Sequence, residues 1–340
     1  MLSNKAIAPL VVGIPGTTVD PDTRAVLAAL NPVGFILFKR NCESREQVEA
    51  LCKELTGLCP MAQKLIFIDQ EGGRVNRILW EPYMAPPGAT IGALYHRNQA
   101  LGLRAAELNG YIIAAQLATY GITVDCLPVA DIAVDGADAV IGDRAFSKDP
   151  KAVAALCAAT MKGLLAGGVW PVIKHAPGHG RAMADSHKEL PVVKTDATTL
   201  EAVDFVPFAI NNRAPFVMTA HIRYDAYDAK ACATESTIMV NDVLRDKLGM
   251  SGLIVSDDLN MQALAGDTPS RARRALAAGC DLLLHCNGNL DELRSLVGVT
   301  ELSEQARKAI ENLPSRGLPR PDSLMEAVAE MRGLLSDAAA

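Results

Sequence analysis

The chain has 340 residues, 49% of them hydrophobic and 21% charged, which is the make-up of a globular protein with room for one large core or two modest ones. A formal net charge of -6 and a sequence pI near 5.6 exclude a long-range pull toward nucleic acid or an anionic membrane surface, because that pull requires clustered, uncompensated lysine and arginine. No apolar stretch approaches the roughly 20 residues that span a bilayer.

The N-terminal stretch MLSNKAIAPLVVGIPG has one lysine, a short apolar run and no small-residue cleavage site, and the run reads as a strand. Eight cysteines lie scattered without paired short spacings, several inside apolar runs such as VDCLPVAD, as reduced buried thiols do. The expected location is therefore the cytoplasm, and a monomer is expected.

In chain order, short aliphatic or β-branched runs recur at 9–14 (PLVVGI), 34–38 (GFILF), 64–69 (KLIFID), 122–129 (ITVDCLPV), 168–175 (GVWPVIKH), 215–221 (PFVMTAH), 252–258 (GLIVSDD) and 280–285 (CDLLLH). Between most of them, apolar residues take helical spacing, as at 45–55, 153–165 and 270–279. Such alternation predicts parallel strands joined by crossover helices. Strands that are apolar almost throughout are buried on both faces, and eight of them match a closed (β/α)8 barrel of the TIM type better than an open sheet. The first turn, GIPGTT, carries neither glycine-rich phosphate fingerprint that an open doubly wound sheet would show. The expectation is an α/β fold in a single catalytic domain, 1–340, with a helical C-terminal part from about residue 300 and a fraying DAAA end.

Charged residues fall just after the apolar runs, where the C-terminal face of a barrel collects its site. Asp69, Asp131, Lys174 with His175, His221, Asp257 with Asp258, and His285 all end strands in this reading. Each alone is equally an ordinary helix cap; their coincidence is the signal. Arg74 and Arg77 follow Asp69 on one loop, and Arg144 follows Asp131. Their planar forks suit a carboxylate or sugar hydroxyls.

Between Lys174 and Leu190 the chain reads KHAPGHGRAMADSHKEL, with three of its six histidines. Zinc sites on helices place two histidines one turn apart around a glutamate. Here Pro177, Gly178 and Gly180 forbid that helix, so no metal and no cofactor is expected. Asp185, two residues before His187, could bond one ring nitrogen, fix the tautomer and leave the other nitrogen free for proton transfer.

Taken together, KHAPGHG with DSH, IDQEGGRV, IGDRAF and SDDLNM resemble, from about residue 8 to residue 290, the bacterial family 3 glycoside hydrolases, specifically the cytoplasmic β-N-acetylglucosaminidases of cell-wall recycling. The resemblance implies Asp257 as nucleophile and His187 as acid/base supported by Asp185. It implies Asp69, Arg77, Arg144, Lys174 and His175 as sugar-binding residues, and Asp258 as the weaker nucleophile candidate. It also implies a glycan or muropeptide substrate with a terminal β-linked N-acetylglucosamine, cleaved with retention through a glycosyl ester. The chain departs from the family at Ala176, where phenylalanine is usual. A histidine acid/base has an unperturbed pKa of about 6.5, near neutral pH without the upward shift a glutamate needs. It would also let an anion approach in the second step, which keeps phosphate open as acceptor beside water. The Gly-flanked loop 176–188 is expected to close over bound substrate. Alternatives left open are a family 3 β-glucosidase or phosphorylase, a sugar-binding barrel without chemistry, and a metal-dependent hydrolase.

Overall fold

A computed structural model describes residues 6–186, 188–317 and 319–339. Among the described residues ten strands occur in chain order: β1 (Ala8–Val12), β2 (Pro32–Leu37), β3 (Leu65–Ile68), β4 (Val124–Asp125), β5 (Trp170–Ala176), β6 (Val192–Val193), β7 (Phe216–Thr219), β8 (Arg223–Tyr224), β9 (Leu253–Asp258) and β10 (Leu282–His285). Eight close into a barrel in the order β1, β10, β9, β7, β5, β4, β3, β2, every pairing parallel. Each crossover carries helix, as at Pro21–Leu30, Arg45–Leu58, Gln99–Thr119, Pro150–Ala166 and Thr268–Ala278. This is the single-domain (β/α)8 barrel that the eight apolar runs predict.

The period of two along each strand divides the core into two layers. Val11, Val33, Ile36, Leu65, Phe67, Val124, Val172, Phe216, Leu253, Val255 and Leu282 form the barrel interior. Their neighbours in sequence, among them Leu10, Phe35, Ile66, Ile68, Ile173, Val217 and Ile254, pack outward with the helices. Helix Glu304–Glu311 adds Ala306 and Ile310 to the interior cluster, and Leu302 N–H donates to Ile7 O, so the segment closes the end where the strands begin.

One strand is shorter than its apolar run. The stretch 122–129 is regular only over Val124–Asp125. Beyond it, Val172 N–H donates to Leu127 O at 3.0 Å and Lys174 N–H to Pro128 O at 3.1 Å, a ladder interrupted where Pro128 has no N–H to give. A second departure is the pair β6 and β8, which join residues 192–193 to 223–224 outside the barrel. Each run is only two residues long, too short for a period to be read.

Candidate active site

Period two also decides which polar residues reach the barrel mouth. Continuing inward past Phe67 gives Asp69, past Val172 gives Lys174, and past Val255 gives Asp257. These three, with Glu71, Arg74, Arg77, Arg144, His175 and Asp258, line one cavity of about 250 Å³ at the C-terminal ends of the strands. Phe38, Met218 and Met261 supply apolar wall. Its lining combines polar and apolar side chains, as sites for small polar ligands do.

An alternating chain of charges crosses the floor. Lys174, 1% exposed, donates to Asp69 Oδ1 at 2.8 Å and to Glu71 Oε1 at 2.6 Å. Arg144 clamps Glu71 with two bonds, Nε to Oε2 and Nη2 to Oε1, both 2.8 Å. Arg77 Nη2 reaches Asp69 Oδ2 at 3.3 Å. Burial alone would push both carboxyls up, but the cations outweigh it: Lys174 and Arg77 hold Asp69 well below the usual carboxylate range, and Lys174 and Arg144 hold Glu71 at about 2. Burial disfavours a charged Lys174, yet Asp69 and Glu71 outweigh it and raise its pKa.

His175 is held from below. Asp131 is fully buried and pairs its Oδ2 with His175 Nδ1 at 2.7 Å, while its Oδ1 accepts the backbone N–H of His175 at 3.2 Å and of His179 at 2.6 Å. Burial raises Asp131, but His175 and His179 outweigh it and hold the carboxyl at about 2. An ionised carboxylate only accepts, so Nδ1 carries the proton and Nε2 is the ring nitrogen available to the cavity. His179 packs edge-on against His175 with ring centroids 5.6 Å apart. Burial first, then His175, lowers it to about 4, and its Nε2 meets Ser186 Oγ at 3.1 Å.

Asp257 and Asp258 end β9 side by side but do different things. Asp257 continues the inward rail; its Oδ1 accepts the N–H of Asp258 at 2.8 Å. Asp258 Oδ1 accepts from the backbone of Asn260 at 3.1 Å and of Cys286 at 3.0 Å, pinning two strand-end loops together. Burial raises its pKa to about 6, against those two bonds, with the Asp257 charge adding to the rise.

The chain matches the glycosyl hydrolase family 3 N terminal domain over residues 7–316. The chain belongs to that family. Family 3 relatives include a beta-hexosaminidase of Alkalilimnicola ehrlichii, 39% identical over 285 residues, which are 83% of this chain and 81% of that one. Another, from Nitrosospira multiformis, is 37% identical over 325 residues, 94% of this chain and 92% of its own. The crystal structure of NagZ from Neisseria gonorrhoeae in complex with N-trifluoroacetyl-D-glucosamine superposes with a TM-score of 0.86 at 32% identity, covering 97% of this chain and 98% of the other. The chain is a family 3 β-N-acetylhexosaminidase, a glycoside hydrolase with the (β/α)8 barrel described above.

Within this family 3 barrel, eight side chains singled out from sequence, Asp69, Arg74, Arg77, Arg144, Lys174, His175, Asp257 and Asp258, share one cavity. Asp131, Asp185, His221 and His285 are not among its lining residues. Asp185 is half-buried on the following loop, where its carbonyl accepts from Lys188 N at 2.9 Å and its carboxylate lies 3.7 Å from Lys188 Nζ. His187 lies outside the described residues. His221 is fully buried between Thr234 Oγ1 at 2.7 Å and Asp258 O at 3.0 Å, and burial lowers its pKa. His285 is bonded to Glu292 Oε2 at 3.0 Å. The idea that every strand end aims at the mouth is therefore corrected: His221, His285 and Asp131 support the rim or floor. Arg74 is tied to the carbonyls of Ala139 and Val140 at 2.7 and 2.8 Å. Ala176 is fully buried on β5. Among the described residues no three His, Cys, Asp or Glu side chains gather as a metal site, and no helix is long and apolar enough to cross a membrane.

Glu71 is the residue that sequence reading passed over. Its signal was present: it stands two positions after Asp69 in IDQEGG, in the same loop that places Arg77. What hid it was the glycine pair, which ends strand periodicity there.

Proposed function

We propose that the chain is a retaining exo-β-N-acetylglucosaminidase that removes terminal β-linked N-acetylglucosamine from peptidoglycan fragments, 1,6-anhydro-muropeptides above all. Asp257 is the nucleophile, His187 the acid/base and Asp185 its supporting carboxylate. Asp69, Arg77, Arg144, Lys174 and His175 bind the sugar. The observation that carries this reading is the single cavity onto which Asp257 and those five side chains converge. The relative solved with N-trifluoroacetyl-D-glucosamine supports an N-acetyl hexosamine as its occupant.

The chemistry follows from the transition state. Breaking a glycosidic bond develops positive charge at the anomeric carbon, so an anion must stand beneath it and a proton must reach the departing oxygen. Asp257 attacks carbon one and forms a glycosyl ester as the protonated His187 imidazole donates to the leaving sugar. His187 then takes a proton from water, whose oxygen displaces Asp257 and releases the hexose with its configuration kept. The ion-paired floor contributes fixed N–H donors and carboxylate acceptors for ring hydroxyls, set before substrate arrives.

Water is the acceptor in this reading. A phosphate acceptor needs uncompensated positive charge, and in the cavity Arg77, Arg144 and Lys174 each already hold a carboxylate. The eight free, buried cysteines support a reducing, cytoplasmic setting, and we place it there as a monomer, one domain across 1–340. The test is trapping with a 5-fluoro N-acetylglucosaminyl donor followed by peptide mass spectrometry. The adduct is expected on Asp257; an adduct elsewhere, or an inverted product by NMR, overturns the assignment.

A further inference from the structure

The bonded charge chain across the cavity floor has five members. Arg144, Lys174 and Arg77 are three cations; Glu71 and Asp69 are two anions, and Asp257 opposite brings the third. Glu71 stands between Arg144 and Lys174. Its Oε1 takes one bond from Lys174 and one from Arg144, its Oε2 takes the second Arg144 bond, and its side chain is 4% exposed. It therefore has little surface left to meet a ligand. Its neighbours do: two of the three ammonium hydrogens of Lys174 are used by Asp69 and Glu71, leaving one. Arg144 gives Nε and Nη2 to Glu71 and Nη1 to Val140 O at 3.0 Å, which leaves two of its five N–H groups. The buried Arg77 Nε has no hydrogen-bond partner among the described residues.

From this geometry we infer that Glu71 is a specificity-determining, positioning residue: it fixes Lys174 and Arg144 as neutralised N–H donors, so that the cavity accepts an uncharged sugar and rejects an anion. Without Glu71, Arg144 would lose its carboxylate partner and Lys174 would keep only Asp69, which Arg77 also shares, leaving excess positive charge in a desolvated pocket, the condition under which proteins hold phosphate and carboxylate. The N–H donors and the charge that accompanies them are separated by this one carboxylate. The inference rests on the cavity being the sugar site, and extends that reading from binding to discrimination between neutral and anionic ligands.

Glu71→Gln tests it, since the amide keeps the shape and removes the charge. Calorimetric titration with N-acetylglucosamine and, separately, with inorganic phosphate gives the two readouts, with thermal melting to establish folding. For Glu71→Gln, phosphate should bind at least tenfold more tightly than to the parent, with an affinity that falls as salt rises, and N-acetylglucosamine at least tenfold more weakly. Glu71→Asp, which keeps the charge, should still reject phosphate. The double variant Glu71→Gln with Arg144→Gln should return phosphate affinity to the parental level. A folded Glu71→Gln protein with unchanged phosphate affinity overturns the inference, as does a Glu71→Asp protein that gains phosphate as Glu71→Gln does. Should Glu71→Gln fail to fold, Glu71→Ser decides by the same titration: tighter phosphate binding than the parent supports the charge role, and unchanged binding overturns it. Because the phosphate arm needs no sugar recognition, a parent chain that bound no N-acetylglucosamine would sink the sugar-site assignment while the phosphate result still judged Glu71.

Discussion

At the scale of single residues, a shift of one position separates the two aspartates that end β9. Asp257 shares the inward parity of Leu253 and Val255, while Asp258 takes backbone N–H bonds from Asn260 and Cys286. Asp257→Ala is expected to lower turnover of an aryl N-acetyl-β-glucosaminide by roughly 10⁴-fold or more, the scale of losing a covalent nucleophile. His187→Ala should fall much less with a nitrophenyl leaving group, which hardly needs protonation, and by about 10²–10⁴-fold with a sugar leaving group. Steady-state rates on the two substrate types check both. Asp131→Asn removes the carboxylate that fixes the His175 tautomer. It should cost roughly 10–100-fold in kcat/KM, mainly through KM, since a buried charge-assisted bond is lost; a change confined to stability would contradict the role of Asp131.

At the scale of elements, the barrel strands were readable because each is an apolar run bounded by turns, and the helices at 45–58 and 150–166 because their apolar residues recur at helical spacing. The loop carrying Asp185 was readable only as a loop. In three dimensions it is anchored three ways: Tyr224 Oη donates to Gly178 O at 2.7 Å, Arg181 Nε meets Asp204 Oδ2 at 2.7 Å, and Ser186 meets His179. Tyr224 arrives from the next crossover and Asp204 from 23 residues further along the same one, separations that no local period signals, while Ser186 and His179 pair within the loop itself. Close packing of helices gives a prediction with an unusual sign. Exposed Gly→Ala changes inside helices stabilise by about 0.5–1 kcal/mol, but a Cβ on Gly163 would lie 2.0 Å from Glu107 O of the adjoining helix. Gly163→Ala should therefore destabilise by about 1–3 kcal/mol, seen as a lower melting temperature with KM unaltered.

At the scale of the molecule, the buried ion pairs set the acid limit of the fold. Glu71 and Asp131 are both held at about 2 in the folded chain, below the roughly 4 of an unfolded carboxylate. A depressed folded pKa gives stability that is complete above the unfolded pKa and disappears as pH falls through the folded one. Melting temperature should therefore hold down to about pH 4 and drop steeply between about pH 4 and 2. Asp131 accounts for on the order of 2 kcal/mol of that drop. Asp131→Asn should start from a lower plateau and fall less over the same window; an equal slope in both proteins would contradict the assignment.

Sequence by itself determined the eight strands, the parallel closed barrel and the set of polar residues at the strand ends, because burial on both faces writes a continuous apolar signal into local sequence and the chain's polarity fixes which ends share a face. Only the tertiary structure decided which of those polar ends meet in the cavity and which brace its rim, and that Glu71 stands between Lys174 and Arg144. The reason is physical: an ion pair between residues 73 positions apart depends on barrel closure bringing two loops within 3 Å, and no local period in the chain encodes that distance.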